Sequence, residues 1–385
     1  MIRVLIVIPS FGSGGATTSL INLLPFLATN DRKIDVFPIT PEGEYYREVI
    51  KYAHILAPIA NKQEGHNGIK SRFYSSASQL VKRIKRGLIH LGIDISPVVF
   101  KRVASRLSKE KYDYVIAFQE GQATRLVKYI KAVNKIAWIH SIYSRFSSER
   151  KNSHYLKDYS SYDRIICVSN TAAEDMKKCL PALSRRIKVV YNALNYERII
   201  EKSEDFTIKN DLFTIISVGR IDPVKRFSRI PEIARVLIDK GVVFQWIIVG
   251  GVADEVEKRL LIKNISKNNV TSVVKWIGPQ FNPYPYIASS DLYVCLSSSE
   301  TFNYTIAEAK VLGVPVISTD FPAAKEFIED KETGLISSVG EVASSIFMLK
   351  NNSVLYNKIR QNAKKRSLDW NNTIIEQINT AIFIP

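Results

Sequence analysis

The chain has 385 residues, 46% of them hydrophobic and 10% aromatic, with a formal net charge of +17. That length accommodates two domains with real cores, and the composition excludes a disordered chain. No apolar run reaches the roughly 18–20 residues of a membrane span, and the charge predicts attraction to a polyanion without choosing among nucleic acid, an anionic membrane face and phosphorylated substrates.

The opening run Val4–Ile8 leads into Phe11-Gly12-Ser13-Gly14-Gly15 with no small-residue cleavage pattern. It is expected to lie in a first strand, Ile2–Ile8, and not in a signal peptide. Further strands are expected at Lys33–Pro38, Tyr112–Phe118, Lys135–Ile139, Asp163–Val168 and Lys188–Tyr191, with helices at Ala16–Ala28, Gln122–Lys131 and Thr171–Lys178. The second half alternates in the same way. Its strands are Phe213–Val218, Val243–Val249, Val273–Trp276, Leu292–Leu296 and Val314–Ser318, and its helices lie near Phe227–Lys240, Glu255–Ile265, Tyr304–Leu312 and Pro322–Glu329. Such alternation predicts an α/β protein of two doubly wound domains. The polar stretch Asn195–Lys209 is the expected boundary, giving domains 1–195 and 196–370. The apolar spacing of Ile374, Ile375, Ile378, Ile382 and Phe383 predicts a packed C-terminal helix over 371–385 that crosses back to the first domain.

Cys167 and Cys295 fall inside apolar strand runs, and Cys179 shows no metal-ligand spacing with either. Buried structural thiols and a reducing, cytosolic setting are expected. Residues 70–111 break the alternation, with eleven basic residues against two acidic. Within them Leu80, Val81, Ile84, Leu88 and Leu91 share one helical face while Lys82, Arg83, Lys85 and Arg86 occupy the other. This pattern predicts a basic amphipathic helix suited to an anionic membrane surface.

Charged residues follow two of the expected strands. Arg220 and Lys225 come after Val218, and Glu300 and Glu308 come after the Leu292–Leu296 run. Open α/β sheets bind ligands at the carboxyl ends of their strands. Two cations there suit a diphosphate, and two carboxylates suit sugar hydroxyls. Glu300 precedes the helix start, so the amides of Asn303, Tyr304, Thr305 and Ile306 are expected to face phosphate oxygens. Glu308, one turn further, is placed to grip a vicinal diol such as ribose. The Gly12–Gly15 turn fails the dinucleotide pattern because position 17 is threonine. No Asp-x-Asp occurs, so no carboxylate pair is expected to hold a metal ion against the diphosphate.

Taken together, Gly219-Arg220, Lys225 and the Glu300…Glu308 segment resemble the retaining GT-B glycosyltransferases of family 4, as do Asn282-Pro283-Tyr284-Pro285-Tyr286 and Glu332-Thr333-Gly334-Leu335. The resemblance implies a GT-B fold with an interdomain cleft, an acceptor-binding first domain and a donor-binding second domain. It implies that Arg220 and Lys225 hold the diphosphate of a nucleotide-sugar donor, that Glu300 contacts the donor sugar and Glu308 the ribose. By the same resemblance His140 reaches the donor sugar near the reacting carbon, Gly14 and Gly15 line the phosphate and acceptor region, and Gln280 lies in the segment that reads the base. The implied activity is metal-independent hexosyl transfer with retention, from a nucleoside-diphosphate donor expected to be UDP-linked to a lipid-linked or saccharide acceptor in bacterial surface polysaccharide synthesis. No cofactor and no protein nucleophile are implied, and the setting is the inner face of the cell membrane. The chain departs from the family at Thr301 and Asn303, where glycines are usual, and at Ala193 after Asn192. Asn303 is read as a residue that contacts a donor hydroxyl. Two other readings stay open: a nucleotide-sugar epimerase of the same fold, and a nucleic-acid-binding protein drawn by the positive charge.

Overall fold

The computed structural model describes residues 1–12, 14–40, 43–56, 96–145 and 159–383. The chain forms two compact units, one of residues 1–167 with 175–188, the other of residues 168–174 with 189–385.

The first unit holds a seven-stranded sheet in the order β3-β2-β1-β4-β5-β6-β7. Its strands are β1 (Ile2–Ile8), β2 (Arg32–Pro38), β3 (His54–Ile55), β4 (Tyr114–Ala117), β5 (Asn134–Ile139), β6 (Arg164–Cys167) and β7 (Ile187–Val189). β1 pairs in parallel with both β2 and β4. Val4 to Ile8 are all completely buried, the signature of a strand covered on both faces. The second unit holds a six-stranded sheet in the order β10-β9-β8-β11-β12-β13. Here β8 is Phe213–Val218, β9 Phe244–Val249, β10 Val274–Trp276, β11 Leu292–Cys295, β12 Val316–Thr319 and β13 Leu335–Ser337. Its core joins Ile215, Trp246, Ile248 and Val294 to Leu237, Leu261 and Ile346 from the covering helices. The indole of Trp246 donates to Ser217 Oγ (3.1 Å), which donates to Val294 O (2.7 Å), so its polar atom is satisfied inside that core. Each sheet reverses direction once, between β1 and β4 and between β8 and β11. These are the topological switch points at which doubly wound sheets open toward a ligand.

Several expectations are corrected. The polar stretch after Asn195 holds a helix with no counterpart among the expected elements, Tyr196–Ser203, capped where Asn195 Oδ1 accepts from Arg198 N (3.0 Å) and buried along Ile199. The helix expected at Pro322–Glu329 shortens to Ala324–Phe327, and Phe227–Arg229 is a 3₁₀ turn before the helix Ile230–Asp239. β3 and β13, two and three residues long, were not expected. The last helix begins far earlier than its apolar tail, at Ser353, and runs to Ala381. Ile374, Ile378 and Ile382 form its buried stripe while Ile375 is exposed. Asn371 anchors this helix, accepting from Leu194 N (3.0 Å) and donating to Leu194 O (2.6 Å), and Trp370 Nε1 donates to Asn192 O (3.0 Å). The basic helix expected around Leu80–Leu91, with Lys82, Arg83, Lys85 and Arg86, lies outside the described residues.

Candidate functional site

The carboxyl ends of β8 and β11 are neighbours because Leu292 and Tyr293 pair with Ile215 and Ile216. The loops that follow are stitched together by Ser298 N donating to Val224 O (2.8 Å). Asp222 folds the first loop back by accepting from Lys225 N at Oδ1 (2.9 Å). This turn carries the Lys225 ammonium across to Glu300, with Nζ 2.6 Å from Oε1. Ser297 Oγ donates to that same oxygen (2.7 Å). Burial would by itself depress the Lys225 pKa, but the Glu300 carboxylate, with Cys295 and Asp222, outweighs it and raises the pKa above its ordinary value. Arg220 behaves differently. Its side chain is 76% exposed, with Asp222 Oδ2 near it at 3.6 Å. Thus the two cations share a loop, but one is ion-paired at the sheet edge and the other projects into solvent.

Close approach of three loops shapes this edge. Gly219 N donates to Val249 O and Gly250 N to Gly278 O, both at 2.9 Å. Gly250 has φ +149°, and a Cβ there would lie 1.7 Å from Gly219 O, so a side chain is excluded.

The helix Tyr304–Val311 starts beside Glu300. Asn303 is its N-cap, and here the expectation changes. Asn303 Oδ1 accepts from Ile306 N (3.2 Å) and from Thr305 Oγ1 (2.8 Å), while Nδ2 donates to Cys295 Sγ (3.3 Å). The buried Asn303 amide is thus committed within the protein, and the Ile306 amide is not an exposed donor. Thr305 and Tyr304 remain partly exposed at the helix start. Glu308 is buried one turn on, accepting from Tyr284 Oη at Oε1 (3.0 Å). Burial pushes its pKa up to about 7, against the opposing pull of the Tyr284 hydrogen bond and of Arg198. Gln280 spends its side chain on Ile277 O (3.1 Å) and on the Tyr286 hydroxyl (3.3 Å).

In the first unit His140 directly follows β5, and its backbone N donates to Glu120 Oε2 (3.1 Å). Its ring lies 5.2 Å from that of Phe118. Burial lowers the imidazole pKa, opposed by Glu120 and a hydrogen bond to the Phe118 backbone, which favours a neutral ring. Gly14 and Gly15 are exposed at the start of the helix Gly15–Leu27, and a Cβ on either would meet open space. Packing therefore does not require glycine at either position. His54 is exposed beside Asp35 (3.1 Å), and His66, His90 and His154 lie outside the described residues.

A cavity of about 590 Å³ in the second unit is lined by Phe302, Ile306, Lys310, Phe327, Arg366 and Trp370. Neither Arg220, Lys225 nor Glu300 borders it. Ser297, Asp222 and Glu120 carry no sequence signal of their own, and Tyr284 stands out only within the Asn282–Tyr286 segment. They act through hydrogen bonds that carry no local pattern, although Ser297 three residues before Glu300 is close enough to have been suspected.

Residues 199–366 match the family model of glycosyl transferases group 1, and residues 13–198 match that of glycosyltransferase family 4. The chain is 27% identical to a Campylobacter jejuni N-acetylgalactosamine-N,N'-diacetylbacillosaminyl-diphospho-undecaprenol 4-alpha-N-acetylgalactosaminyltransferase, over 90% of this chain and 88% of that one. It is also 27% identical to the lipopolysaccharide core biosynthesis glycosyltransferase LpsE of Rhizobium meliloti, over 64% of this chain and 66% of the relative. Among solved structures, the Anabaena protein HepE in complex with UDP and glucose superposes with a TM-score of 0.74 at 16% identity, covering 100% of both chains. The fold is GT-B.

Proposed function

The chain belongs to the group 1, family 4 glycosyltransferases, and from that membership we propose that it moves a sugar from a UDP-linked donor to a lipid-linked or saccharide acceptor, with retention, in assembly of a bacterial surface polysaccharide. The observation that carries this reading is the Lys225–Glu300 pair at the β8/β11 switch point, with Arg220 on the same loop and a helix start alongside. A diphosphate arriving there meets the exposed Arg220 guanidinium, the Lys225 ammonium and the Thr305 end of the helix. Competition by phosphate for Lys225 would release Glu300 toward the donor-sugar hydroxyls. As the sugar–phosphate bond breaks, charge grows on the leaving oxygen, and fixed cations at that point stabilise it. Glu308 takes the ribose, the backbone around Gln280 the base, and His140 the donor-sugar contact that the family resemblance assigns it. By the same resemblance Gly14 and Gly15 are assigned to the lining of the phosphate and acceptor region.

The first domain takes the acceptor and the second the donor. The relative whose name specifies a diphospho-undecaprenol acceptor supports a lipid carrier. No helix among the described residues is long and apolar enough to cross a membrane, so contact with such a carrier is assigned to peripheral docking through residues 70–111. In the described part of that segment, the helix Ser96–Leu107 exposes Lys101, Arg102 and Arg106 beside Val98 and Val99. The positive charge that a metal would bring to the diphosphate is assigned to Arg220, Lys225 and the helix amides.

The test is to incubate the protein with a panel of UDP-sugars and a polyprenyl-diphosphate-linked saccharide, with and without EDTA. UDP release in both conditions, and an α linkage by proton NMR, are expected. A β-linked product would overturn retention, and activity restored only by Mn²⁺ would overturn metal independence. Failure to consume any UDP-sugar would overturn the donor.

A further inference from the structure

Arg198 lies half-buried on the helix Tyr196–Ser203, and its Nε is buried with no hydrogen-bond partner among the described residues. Leaving a buried N–H unpaired is costly, so an orphan of this kind calls for an explanation. The backbone around it is fixed. Arg198 N donates to the Asn195 cap (3.0 Å), and the next residue, Ile199, is buried.

The helices Tyr196–Ser203, Tyr284–Ala288 and Tyr304–Val311 pack against one another. Asn282 ties the first two, its Nδ2 donating to Lys202 O (2.6 Å) and to Asp205 Oδ2 (2.7 Å). The third carries Glu308, which is buried and accepts from Tyr284 Oη (3.0 Å). Burial raises the pKa of that carboxyl, and the Tyr284 hydrogen bond and the charge of Arg198 oppose it. So the two groups that favour the Glu308 anion come from the two helices that Asn282 joins. From the sheet, Tyr293 of β11 senses both Glu308 and Glu300. From the last helix, Arg366 acts on Lys310.

We propose that Arg198 is a positioning residue for the donor: its guanidinium closes on Glu308 when a nucleotide arrives and holds that carboxyl as the anion that accepts from the ribose hydroxyls. The inference rests on the assignment of Glu308 to the ribose. At neutral pH burial leaves Glu308 partly protonated, and Arg198 Nε has no acceptor. When the carboxyl ionises against the ribose, the same N–H gains a charged acceptor, and charge-assisted hydrogen bonds are the stronger kind. One event thus satisfies the orphan donor and supplies the ionised carboxylate.

The test is titration of UDP and inorganic pyrophosphate, from pH 6 to pH 9, into the wild type, Arg198→Gln, Arg198→Lys and Glu308→Gln. Each variant is compared with the wild type at the same pH, so the ionisation of the phosphate itself cancels. Removing a cation beside a carboxylate raises its pKa by about one unit or more. Arg198→Gln should therefore bind UDP about tenfold more weakly than the wild type at pH 6 and about equally at pH 9, where Glu308 is ionised in both. Arg198→Met, which keeps the aliphatic stem without the charge, carries the same expectation if Arg198→Gln does not fold. Arg198→Lys should recover most of the loss, and pyrophosphate, which has no ribose, should bind all the proteins alike. A loss of the same size at pH 6 and pH 9 would overturn the proposal, because packing or a direct phosphate contact is blind to the Glu308 proton. Full UDP affinity at pH 6 in the uncharged variants would overturn it too, and leave the ribose assignment standing. Equal UDP affinity of the wild type and Glu308→Gln at every pH would remove the ribose assignment, and the part of Arg198 with it.

Discussion

Lys225 Nζ lies 2.6 Å from Glu300 Oε1, and Ser297 Oγ reaches the same oxygen from 2.7 Å. Two donors on one oxygen orient the carboxylate, because any rotation breaks one of them. Lys225 and Glu300 are both largely buried, so the pair couples structure to chemistry, whereas the exposed Arg220 does not.

The first prediction uses that contrast. Arg220→Ala, Lys225→Ala and Glu300→Gln should each lower turnover by roughly 10²–10³-fold, the scale of one lost electrostatic contact in a transition state. Arg220→Ala should leave thermal stability unchanged. Lys225→Ala should also cost roughly 1–3 kcal/mol, because it strands a buried carboxylate. Thermal melts beside initial rates separate these outcomes. Near wild-type turnover in folded Arg220→Ala and Glu300→Gln would remove the site assignment.

Glu308 sets a pH dependence. Its pKa rises from an ordinary 4.5 to about 7 in the folded chain. Between those values the folded state holds a proton that the unfolded state has released. Stability should therefore fall as pH rises from about 4.5 to about 7 and level off above, the group's contribution being of order 3 kcal/mol. Glu308→Gln should flatten that slope and melt higher than the wild type at pH 8. Nucleotide affinity should move the other way. A carboxylate that accepts from two ribose hydroxyls works best ionised, so UDP should bind the wild type more tightly at pH 8 than at pH 6, and equally at both in Glu308→Gln.

Asn303 gives a third expectation. Its side chain caps the helix Tyr304–Val311 and ties it to Cys295 at the end of β11. Asn303→Ala should destabilise the protein by about 1 kcal/mol, and Asn303→Gly by only a few tenths from the cap itself. Calorimetric melts check the order. Equal loss in both variants would mean that the Cys295 contact, and not the cap, carries the effect.

What could be read from the sequence divides along physical lines. β1 and β8 are legible residue for residue because long β-branched runs are buried on both faces. β3 and β13 are too short for any periodicity to register. The helix Tyr196–Ser203 hides because charged residues surround the buried Ile199. At the site, the cations after β8 and the carboxylates after β11 are legible as strand-end charges, and of these sheet topology brings Lys225 and Glu300 together. The partnership of Glu300 with Ser297, or of Glu308 with Tyr284, depends on side-chain directions that no spacing encodes. Asn303 shows the same split: an asparagine just before a helix is a local capping signal, while its hydrogen bond to Cys295 depends on the sheet behind it.

The last prediction concerns the surplus positive charge. Residues 70–111 carry eleven basic and two acidic residues, and the described helix Ser96–Leu107 exposes Lys101, Arg102 and Arg106. On a cytoplasmic leaflet each basic residue near the surface contributes about 1 kcal/mol. Lys82, Arg83, Lys85 and Arg86 together should therefore give roughly 4 kcal/mol, near a thousandfold in partitioning. The attraction is electrostatic, so it should fade as salt shortens the screening length to about 3 Å at 1 M. The measurement is sedimentation with phosphatidylglycerol-containing and phosphatidylcholine vesicles, comparing the wild type with a Lys82/Arg83/Lys85/Arg86→Gln variant. The wild type should pellet with anionic vesicles at low salt and be released at high salt, while the variant stays in solution. Equal pelleting of both proteins would reject this segment as the anchor. Binding to a short RNA but not to vesicles would redirect the charge toward nucleic acid.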